Sequence, residues 1–286
     1  MSREGCNTCL KTEAVLRRTI IAWLRALGLM SYAYNARLFS KTLTPGTLVD
    51  NLRFWLRGNK ETLPIPGYWA RLLVAGSTNI RAFLVFGRLG FDCIRETLER
   101  NGTPIEGLKD ILDFGCGCGR ITRYWNGFAD TRICGTDLNE FLVEACQRCV
   151  PFASISQNSM AAELDYADQS FDLIYAFSVF THLDVTAQKA WLDEFRRILR
   201  PGGILLLSVH GNAYKGHLAG KELEDFTSGR LIVRLGEYPG KNICVTFHPE
   251  SFVRETLAEG FEIVDVVPEG AKGNPPQDLY MLRKAH

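Results

Sequence analysis

One ten-residue segment limits the possible folds of this chain more than any other: ILDFGCGCGR at positions 111–120. An apolar run reaches Asp113, and glycines then stand at alternate positions, Gly115, Gly117 and Gly119. Glycine lets the backbone turn sharply and approach another group closely, because it carries no side chain. A strand that passes through such a turn into a helix N-terminus forms a natural ligand loop. The segment therefore predicts an α/β sheet with a binding site at the carboxyl end of one strand.

From residue 108 onward, short apolar runs alternate with amphipathic stretches. The predicted strands are 109–114, 132–136, 152–156, 171–177, 204–209, 261–267 and 278–283, and the predicted helices are 120–126, 139–149, 187–199 and 249–259. This rhythm is typical of a doubly wound, mostly parallel, seven-stranded Rossmann-like sheet. We assign 108–286 to that domain and 1–107 to an N-terminal helical extension or cap, with helices at 12–39 and 79–100.

Two further features point to the same end of the predicted sheet. Asp137 ends the second strand, twenty residues after Gly117. A carboxylate at that position can accept hydrogen bonds from both hydroxyls of a ribose. Residues 211–247 are too many for a plain connection, and long connections usually carry structure or function of their own. We therefore expect 211–247 to be an insertion that faces the substrate.

The glycine spacing separates two families of nucleotide-binding sheets. A nicotinamide-dependent oxidoreductase with the pattern G-x-G-x-x-G would need glycine at 120, where this chain has Arg120. The alternating glycines, with Asp113 two residues before the first, instead resemble motif I of the class I S-adenosylmethionine-dependent methyltransferases. The resemblance implies a loop that wraps the methionine part of S-adenosylmethionine, with Asp113 near its amino group. S-adenosylhomocysteine would be the product.

Three later segments extend the resemblance over essentially all of 108–286. SISQNSMAAEL at 154–164 is similar to the family's adenine-contacting stretch and implies contacts from Ser159 and Met160. SFDLIYAFSVFTHL at 170–183 resembles its fourth strand and places Phe177 beside the cofactor, and LRPGGILLLSVHG at 199–211 resembles its fifth. The implied function is methyl transfer to oxygen or nitrogen of a small-molecule, glycan or lipid-linked acceptor. A non-catalytic protein that binds S-adenosylmethionine, and less so the oxidoreductase, remain alternatives.

Histidines are the candidates for catalysis. Methyl transfer from a sulfonium needs mainly positioning, and a base is required only when the acceptor is a weakly acidic hydroxyl. His182 follows the fourth strand and His210 ends the fifth, so both should lie on the cofactor side of the sheet. His248 precedes Pro249, and a role in opening the next helix is the simpler interpretation.

Charge is balanced over the chain but not along it. The formal net charge of +1 argues against a dedicated nucleic-acid-binding protein. Residues 1–60, however, carry ten Lys and Arg against three acids, about +7. These sixty residues could pack on the catalytic domain, cap a pocket for an acidic or lipid-linked acceptor, or lie on an anionic membrane surface. We expect a cytoplasmic protein, with contact to the inner face of the membrane as the alternative.

The nine cysteines favour reduced thiols over a disulfide scaffold, because two lie in the glycine loop and no signal-peptide pattern is present. Cys6 and Cys9, and again Cys146 and Cys149, have the spacing of metal-binding pairs. The second pair falls on a predicted helix and the first lies close to the N-terminus. We therefore predict no metal site.

Overall fold

The computed structural model describes residues 20–21, 23–42, 44–57, 61–273 and 275–285. We number its helices α1 (Met30–Thr42), α2 (Pro45–Leu56), α3 (Tyr68–Ala75), α4 (Ile80–Arg100), α5 (Glu140–Cys149), α6 (Val185–Ile198), α7 (Lys221–Thr227) and α8 (Glu250–Phe252). The strands are β1 (Asp110–Phe114), β2 (Arg132–Asp137), β3 (Ser154–Gln157), β4 (Phe171–Ala176), β5 (Leu199–Val209), β6 (Ile232–Arg234), β7 (Val245–Phe247), β8 (Phe261–Val267) and β9 (Asp278–Lys284).

Seven of these strands form the central sheet, in the order β3-β2-β1-β4-β5-β9-β8. The pairs from β3 to β5 are parallel, and β9 pairs antiparallel with both β5 and β8. The predicted mostly parallel, seven-stranded α/β sheet is therefore confirmed. β1 and β4 are neighbouring strands, and the chain continues from β1 towards one edge of the sheet and from β4 towards the other. The carboxyl ends of these two strands therefore form a crevice, which is the usual ligand position in such sheets.

Alternate residues of the central strands fill two separate cores, as the two-residue period of a strand requires. Leu112, Ile174 and Leu205 face one side, where they pack with Trp191 and Phe195 of α6. On the other side, the core consists of strand residues and α4 residues together, namely Phe91, Ile94, Leu98, Ile111, Leu173, Tyr175 and Leu206. Both faces of the sheet are thus covered by helices, which accounts for the almost continuous apolar runs in β1, β4 and β5.

Helix α4 belongs to this core, although the sequence assigned it to the extension 1–107. Gly87 and Gly90 face the segment after the glycine loop, where Cβ atoms would overlap the carbonyl of Arg120 and the side chain of Ile121. The 21-residue helix therefore packs directly on the residues that follow the glycine loop. The boundary at residue 108 consequently cuts through a continuous core, so the cap proper is the part before α4.

Three predicted helices differ from those observed. The predicted helix 12–39 is interrupted at Gly28, whose φ of +66° ends one helical segment before α1 begins; its residues 12–19 lie outside the described residues. The predicted helix 120–126 is only a 3₁₀ turn, Thr122–Trp125. The third, 249–259, is a short α-helical turn that continues as a π-helix, Val253–Leu257.

Among the described residues, no single helix is long and apolar enough to cross a membrane. The pair α3 and α4, bent by 45° at its break, passes the same test together, by length and composition only.

Candidate active site

A cavity of about 1040 Å³ opens at the carboxyl ends of β1, β2, β4 and β5. The N-terminal helices α1 and α3 form one wall, and the insertion 211–247 forms another. Asn242 of the insertion donates from Nδ2 to the carbonyl oxygen of Leu73 in α3, at 3.1 Å. The two walls therefore meet over the sheet and close the cavity on the side away from the strands.

The glycine loop needs its glycines for packing as well as for conformation. Gly115 and Gly117 have φ of +76° and +56°, a region that L-residues with side chains rarely adopt. A Cβ atom at Gly115 would overlap Val179, and one at Gly117 would lie 2.6 Å from Cγ2 of Val74 in α3. Gly115 and Gly117 line the cavity.

Gly119, which the resemblance implies to be part of the cofactor-binding loop, lies against α5 and does not line the cavity. Its Cβ would overlap Val150 and approach Cys146. With a φ of +81°, it allows the loop to lie close against the C-terminal end of α5. The third glycine of the motif therefore packs against the end of α5, whereas the two glycines before it line the cavity.

Asp137 lies at the end of β2 with its carboxylate fixed by two backbone groups. The N–H of Gly117 donates to Oδ2 at 2.9 Å, and the N–H of Asn139 donates to Oδ1 at 2.8 Å. Each oxygen keeps a lone pair for a further hydrogen bond. Burial raises the pKa of this carboxyl group, while the two N–H donors oppose the shift. The arrangement suits a pair of ligand hydroxyls, as the sequence predicts.

Asp113 is buried at the end of β1, and both hydrogen bonds described for it end on Oδ2. Thr122 Oγ1 donates at 2.6 Å and the Tyr175 hydroxyl at 2.8 Å, while Trp125 Nε1 donates to the Tyr175 oxygen at 3.1 Å. Burial raises the pKa of Asp113 to about 6, against the lowering effect of its two hydroxyl donors. Asp113 also lines the cavity, which leaves Oδ1 for a cationic ligand group.

At the β3 end of the cavity, the candidate Ser159 does not line the cavity, although the residues on either side of it do. Asn158 and Met160 line the cavity, whereas the Ser159 hydroxyl accepts a hydrogen bond from the Ala161 N–H at 3.1 Å and caps its own turn. Asn158 is held by the Thr136 hydroxyl at 3.1 Å from its Oδ1. The cavity is thus lined here by the predicted Met160 and by Asn158, which lies one residue before the predicted Ser159.

After β4, the chain passes through a strained turn. Phe177 is buried and lines the cavity, and Ser178 has a φ of +60°, unusual for a residue with a side chain. Gln277 holds this turn: its Nε2 donates to Ser178 Oγ at 2.7 Å and its Oε1 accepts from Ser208 Oγ at 2.7 Å. Strain of this kind persists only where surrounding contacts enforce it, and it concentrates at functional sites.

His182 and His210 line the same cavity, and the insertion fixes both rings. Nδ1 of His182 lies 2.7 Å from the carbonyl oxygen of Cys244, and Nδ1 of His210 lies 3.2 Å from that of Thr246. A carbonyl can only accept, so Nδ1 carries the proton in each ring and Nε2 is left as the basic nitrogen. The described residues form no hydrogen bond to either Nε2.

Burial lowers the pKa of both rings and so favours their neutral forms. It lowers the pKa of His182, and it lowers the pKa of His210 to about 4, with a further contribution from the charge of His182. His210 also stacks on Tyr214, with ring centroids 4.0 Å apart, so its ring is held by the insertion on a second side.

His248 lies outside the cavity. Its Nε2 lies 3.3 Å from Oε1 of Gln188, its Nδ1 has no hydrogen-bond partner among the described residues, and burial lowers its pKa to about 3. Its backbone N–H donates to the carbonyl oxygen of His210 at 2.8 Å. A structural role beside the catalytic candidates fits these contacts.

The cysteines that the structure describes form no additional site. Seven of the nine are described, and all seven are buried free thiols. No group of three or more His, Cys, Asp or Glu side chains suited to a metal ion occurs within the described part of the chain. Cys6 and Cys9 lie outside the described residues.

Sequence reasoning missed several residues that shape the site: Val74, Asn158, Cys244, Thr246, Asn242 and Gln277. Val74, Asn242 and Gln277 come from segments that carry no motif, and Cys244 and Thr246 act through backbone carbonyls, which any residue type could supply. Only Asn158 had a signal, because it stands within the stretch already identified.

Comparison with known proteins identifies the family. A family model described as a methyltransferase domain matches residues 112–207. A probable S-adenosylmethionine-dependent methyltransferase of Mycolicibacterium smegmatis is 35% identical over 181 residues, 61% of this chain and 69% of that protein. The malonyl-[acyl-carrier protein] O-methyltransferase of Hahella chejuensis is 36% identical over 115 residues. That match covers 40% of this chain and only 39% of the Hahella protein.

The fold agrees with solved structures. An S-adenosylmethionine-dependent methyltransferase from Clostridium acetobutylicum superposes with a TM-score of 0.51 at 16% identity, over 69% of this chain and 91% of that chain. The range matched by the family model includes the glycine loop, Asp137 and β4, and the match to methyltransferases sets aside the nicotinamide-dependent alternative. The chain belongs to the class I S-adenosylmethionine-dependent methyltransferases.

Proposed function

We propose that this protein methylates a hydroxyl oxygen of a small or lipid-linked acceptor, with His182 as the general base. One observation supports this most strongly. Two neutral histidines, each with Nδ1 bound to a carbonyl of the insertion, present Nε2 in the same cavity as the glycine loop and Asp137. Acceptors that are already nucleophilic need no such base.

The residues around the glycine loop fit S-adenosylmethionine, which supplies the methyl group as a sulfonium cation. Asp137 would accept hydrogen bonds from the ribose hydroxyls, because its carboxylate is fixed by the Gly117 and Asn139 N–H groups. Asp113 Oδ1 would face the ammonium group of the methionine part. Asn158 and Met160 would bound the adenine, and Phe177 would exclude water beside the methyl carbon.

His182 would then act on the acceptor. As the acceptor oxygen forms its bond to the methyl carbon, Nε2 of His182 takes the hydroxyl proton, and the electron pair of the breaking carbon–sulfur bond goes to sulfur. The Cys244 carbonyl stabilises the resulting imidazolium, because it accepts from Nδ1–H. His210, with a pKa of about 4, stays neutral and accepts a hydrogen bond that orients the acceptor.

The cavity suggests an acceptor with a large apolar part. Its wall away from the strands includes much hydrocarbon, from Leu38 of α1, Leu72 of α3, Phe86 of α4 and Ile243 of the insertion. The polar groups that α1 adds belong to Ser31, Tyr32, Tyr34 and Asn35. The Hahella relative is named as an O-methyltransferase acting on an acyl-carrier conjugate, which supports oxygen as the acceptor atom. A carboxyl acceptor would be methylated without a base, so the test must distinguish the two.

Deuteromethyl-labelled S-adenosylmethionine, incubated with the protein and with metabolite and lipid extracts, tests the proposal by mass spectrometry. Labelled products that survive alkali are ethers, amines or C-methyl compounds, whereas methyl esters release labelled methanol. We expect an alkali-stable ether. His182→Ala should lower turnover about 10²–10⁴-fold while S-adenosylhomocysteine still binds.

His217→Ala is the matched control, because this exposed histidine of the insertion does not line the cavity. Full activity in His182→Ala would contradict the base assignment. Methanol release would assign a carboxyl acceptor instead. Cofactor binding without any labelled product would favour the non-catalytic alternative.

A further inference from the structure

We propose that helix α2 docks this protein on an anionic lipid bilayer through an exposed apolar stripe. None of the twelve residues of α2 is buried, although the helix is rich in large apolar side chains. Five of them are between 43% and 75% exposed: Leu48, Val49, Leu52, Trp55 and Leu56. At 100° per residue these five positions fall within an arc of about 120°, the width of one helix face.

The opposite face of α2 contacts the rest of the protein, so the apolar stripe faces solvent. Asn51 donates from Nδ2 to the Thr78 carbonyl at 3.1 Å, and its Oδ1 accepts from the Ile80 N–H at 2.8 Å, at the start of α4. Phe54 packs against the core formed by α3, α4 and α5. Thr44 caps the helix N-terminus by accepting from the Thr47 N–H. The stripe is therefore a fixed surface feature, and exposed apolar faces of this kind mark interaction sites.

The charge beside the stripe selects the occupant. Arg53 and Arg57 continue the arc on its edge next to Val49 and Leu56, and both are exposed. Asp50 is the single acid of 20–57, a stretch that also contains Arg25 and Arg37. Basic side chains beside a Trp- and Leu-rich face suit a helix lying in the interface of an anionic membrane.

A second copy of this chain fits less well. Two α2 helices packed stripe to stripe would bring their arginines together, with one Asp50 per helix to offset them. Asp50 lies 3.8 Å from Arg53 and offsets one arginine within each helix, so an anionic headgroup would supply the negative charge that the remaining basic side chains lack. This inference depends on neither the acceptor nor the base of the proposed function, because cofactor binding and vesicle binding are measured separately.

Vesicle co-sedimentation of the full chain tests the inference. We expect binding to phosphatidylcholine vesicles that contain about 30% phosphatidylglycerol at low ionic strength, and little binding to phosphatidylcholine alone or at high salt. Leu56→Glu should reduce the bound fraction about tenfold or more, and Arg53→Gln with Arg57→Gln should weaken binding by a similar factor. Leu56 is 75% exposed, so its replacement should leave folding intact.

Phe152→Glu is the matched control, since it adds the same charge at an exposed apolar position in the turn before β3, outside α2, the cluster beneath it and the cavity. It should bind vesicles like the unmodified protein, and thermal melts of all variants should coincide. Absence of binding to anionic vesicles, or binding unaffected by Leu56→Glu, would overturn the proposal. A concentration-dependent dimer that Leu56→Glu dissociates, without vesicle binding, would assign the stripe to a second copy.

Discussion

At the scale of single residues, burial shifts the pKa values of the acidic and basic groups around the cavity in opposite directions. Burial raises the pKa of the carboxyl group of Asp113 and lowers the pKa of the imidazole groups of His182 and His210. Both effects favour the neutral form, because a charge is poorly solvated inside the protein. Both shifts reduce the charge that these groups carry at a given pH, and an ammonium group beside Asp113 would favour its ionised form.

Cofactor affinity should consequently depend on pH through Asp113. An ammonium group beside Oδ1 favours the ionised carboxyl, so binding should tighten by about tenfold as pH rises from 5 to 7, with a midpoint near the pKa of about 6. The effect on the free protein has the opposite sign. A carboxyl whose pKa is raised on folding stabilises the protein below its unfolded pKa, and that contribution is lost as pH rises through about 6. Titration calorimetry with S-adenosylhomocysteine measures the first effect, and in Asp113→Asn the slope should disappear.

Asp137 should contribute to the affinity for S-adenosylhomocysteine whenever its carboxyl group is ionised. Replacement by Ala removes two acceptors for hydroxyl groups, so the dissociation constant of S-adenosylhomocysteine should rise about tenfold or more. Asp130→Ala, an exposed acid in the turn before β2, provides the control. Equal affinity in Asp137→Ala and the unmodified protein would mean that the ribose lies elsewhere.

The glycine spacing and the ends of the first two predicted strands were enough to bring Asp113, Gly115, Gly117 and Asp137 to one cavity, because strand ends and turns are local features. They were not enough for Ser159, which differs from Asn158 by one position in a loop without periodicity. Nor could they define the state of the histidines. Which nitrogen carries the proton depends on carbonyls of Cys244 and Thr246, and the first of these lies 62 residues from His182.

At the scale of elements, the glycine loop and helix α3 form one unit. Val74 of α3 occupies the space that a side chain at Gly117 would need, with 2.6 Å between Cγ2 and the hypothetical Cβ. The position of α3 thus depends on a glycine more than forty residues later. The sequence indicated a cap over this end of the sheet, but it could not show that the cap touches the loop itself.

Gly117→Ala should therefore displace α3 as well as strain the loop. A left-handed conformation costs a residue with a side chain about 1–2 kcal/mol, and the contact with Val74 adds to this. We expect a lower melting temperature and weaker S-adenosylhomocysteine binding. Val74→Ala in the same protein should recover the contact part of the loss, which a double-mutant cycle measures. Additive effects of the two substitutions would show that the helix and the loop are not coupled.

At the scale of the whole molecule, the cavity is enclosed by three parts of the chain that are distant in sequence. The strand ends form its floor, α1 and α3 one wall and the insertion the other, joined by the Asn242–Leu73 hydrogen bond. The seven-stranded sheet was predictable, since strands and helices alternate in a regular order. The membership of α4 in the core was not, because an amphipathic helix does not reveal which surface covers its apolar face.

Cofactor binding should stabilise both walls together. Hydrogen exchange in α3 and in residues 238–245 should slow when S-adenosylhomocysteine is added, because opening either wall exposes the cavity. Asn242→Ala should uncouple them, so that α3 is still protected while 238–245 is protected less. Equal protection of both segments in Asn242→Ala would show that the hydrogen bond does not link the walls.

The two carbonyls that orient the histidines give the insertion a further property. Thr246 lies in β7, which pairs with β6, and Cys244 directly precedes β7, whereas Asp113 and Asp137, which fit the cofactor, belong to the central sheet. In the proposed function, the groups that orient the base therefore come from a different stretch of the chain than the carboxylates that would hold the cofactor. Because any residue type supplies a backbone carbonyl, the side chains at 244 and 246 can diverge in sequence while the orientation of His182 and His210 is kept.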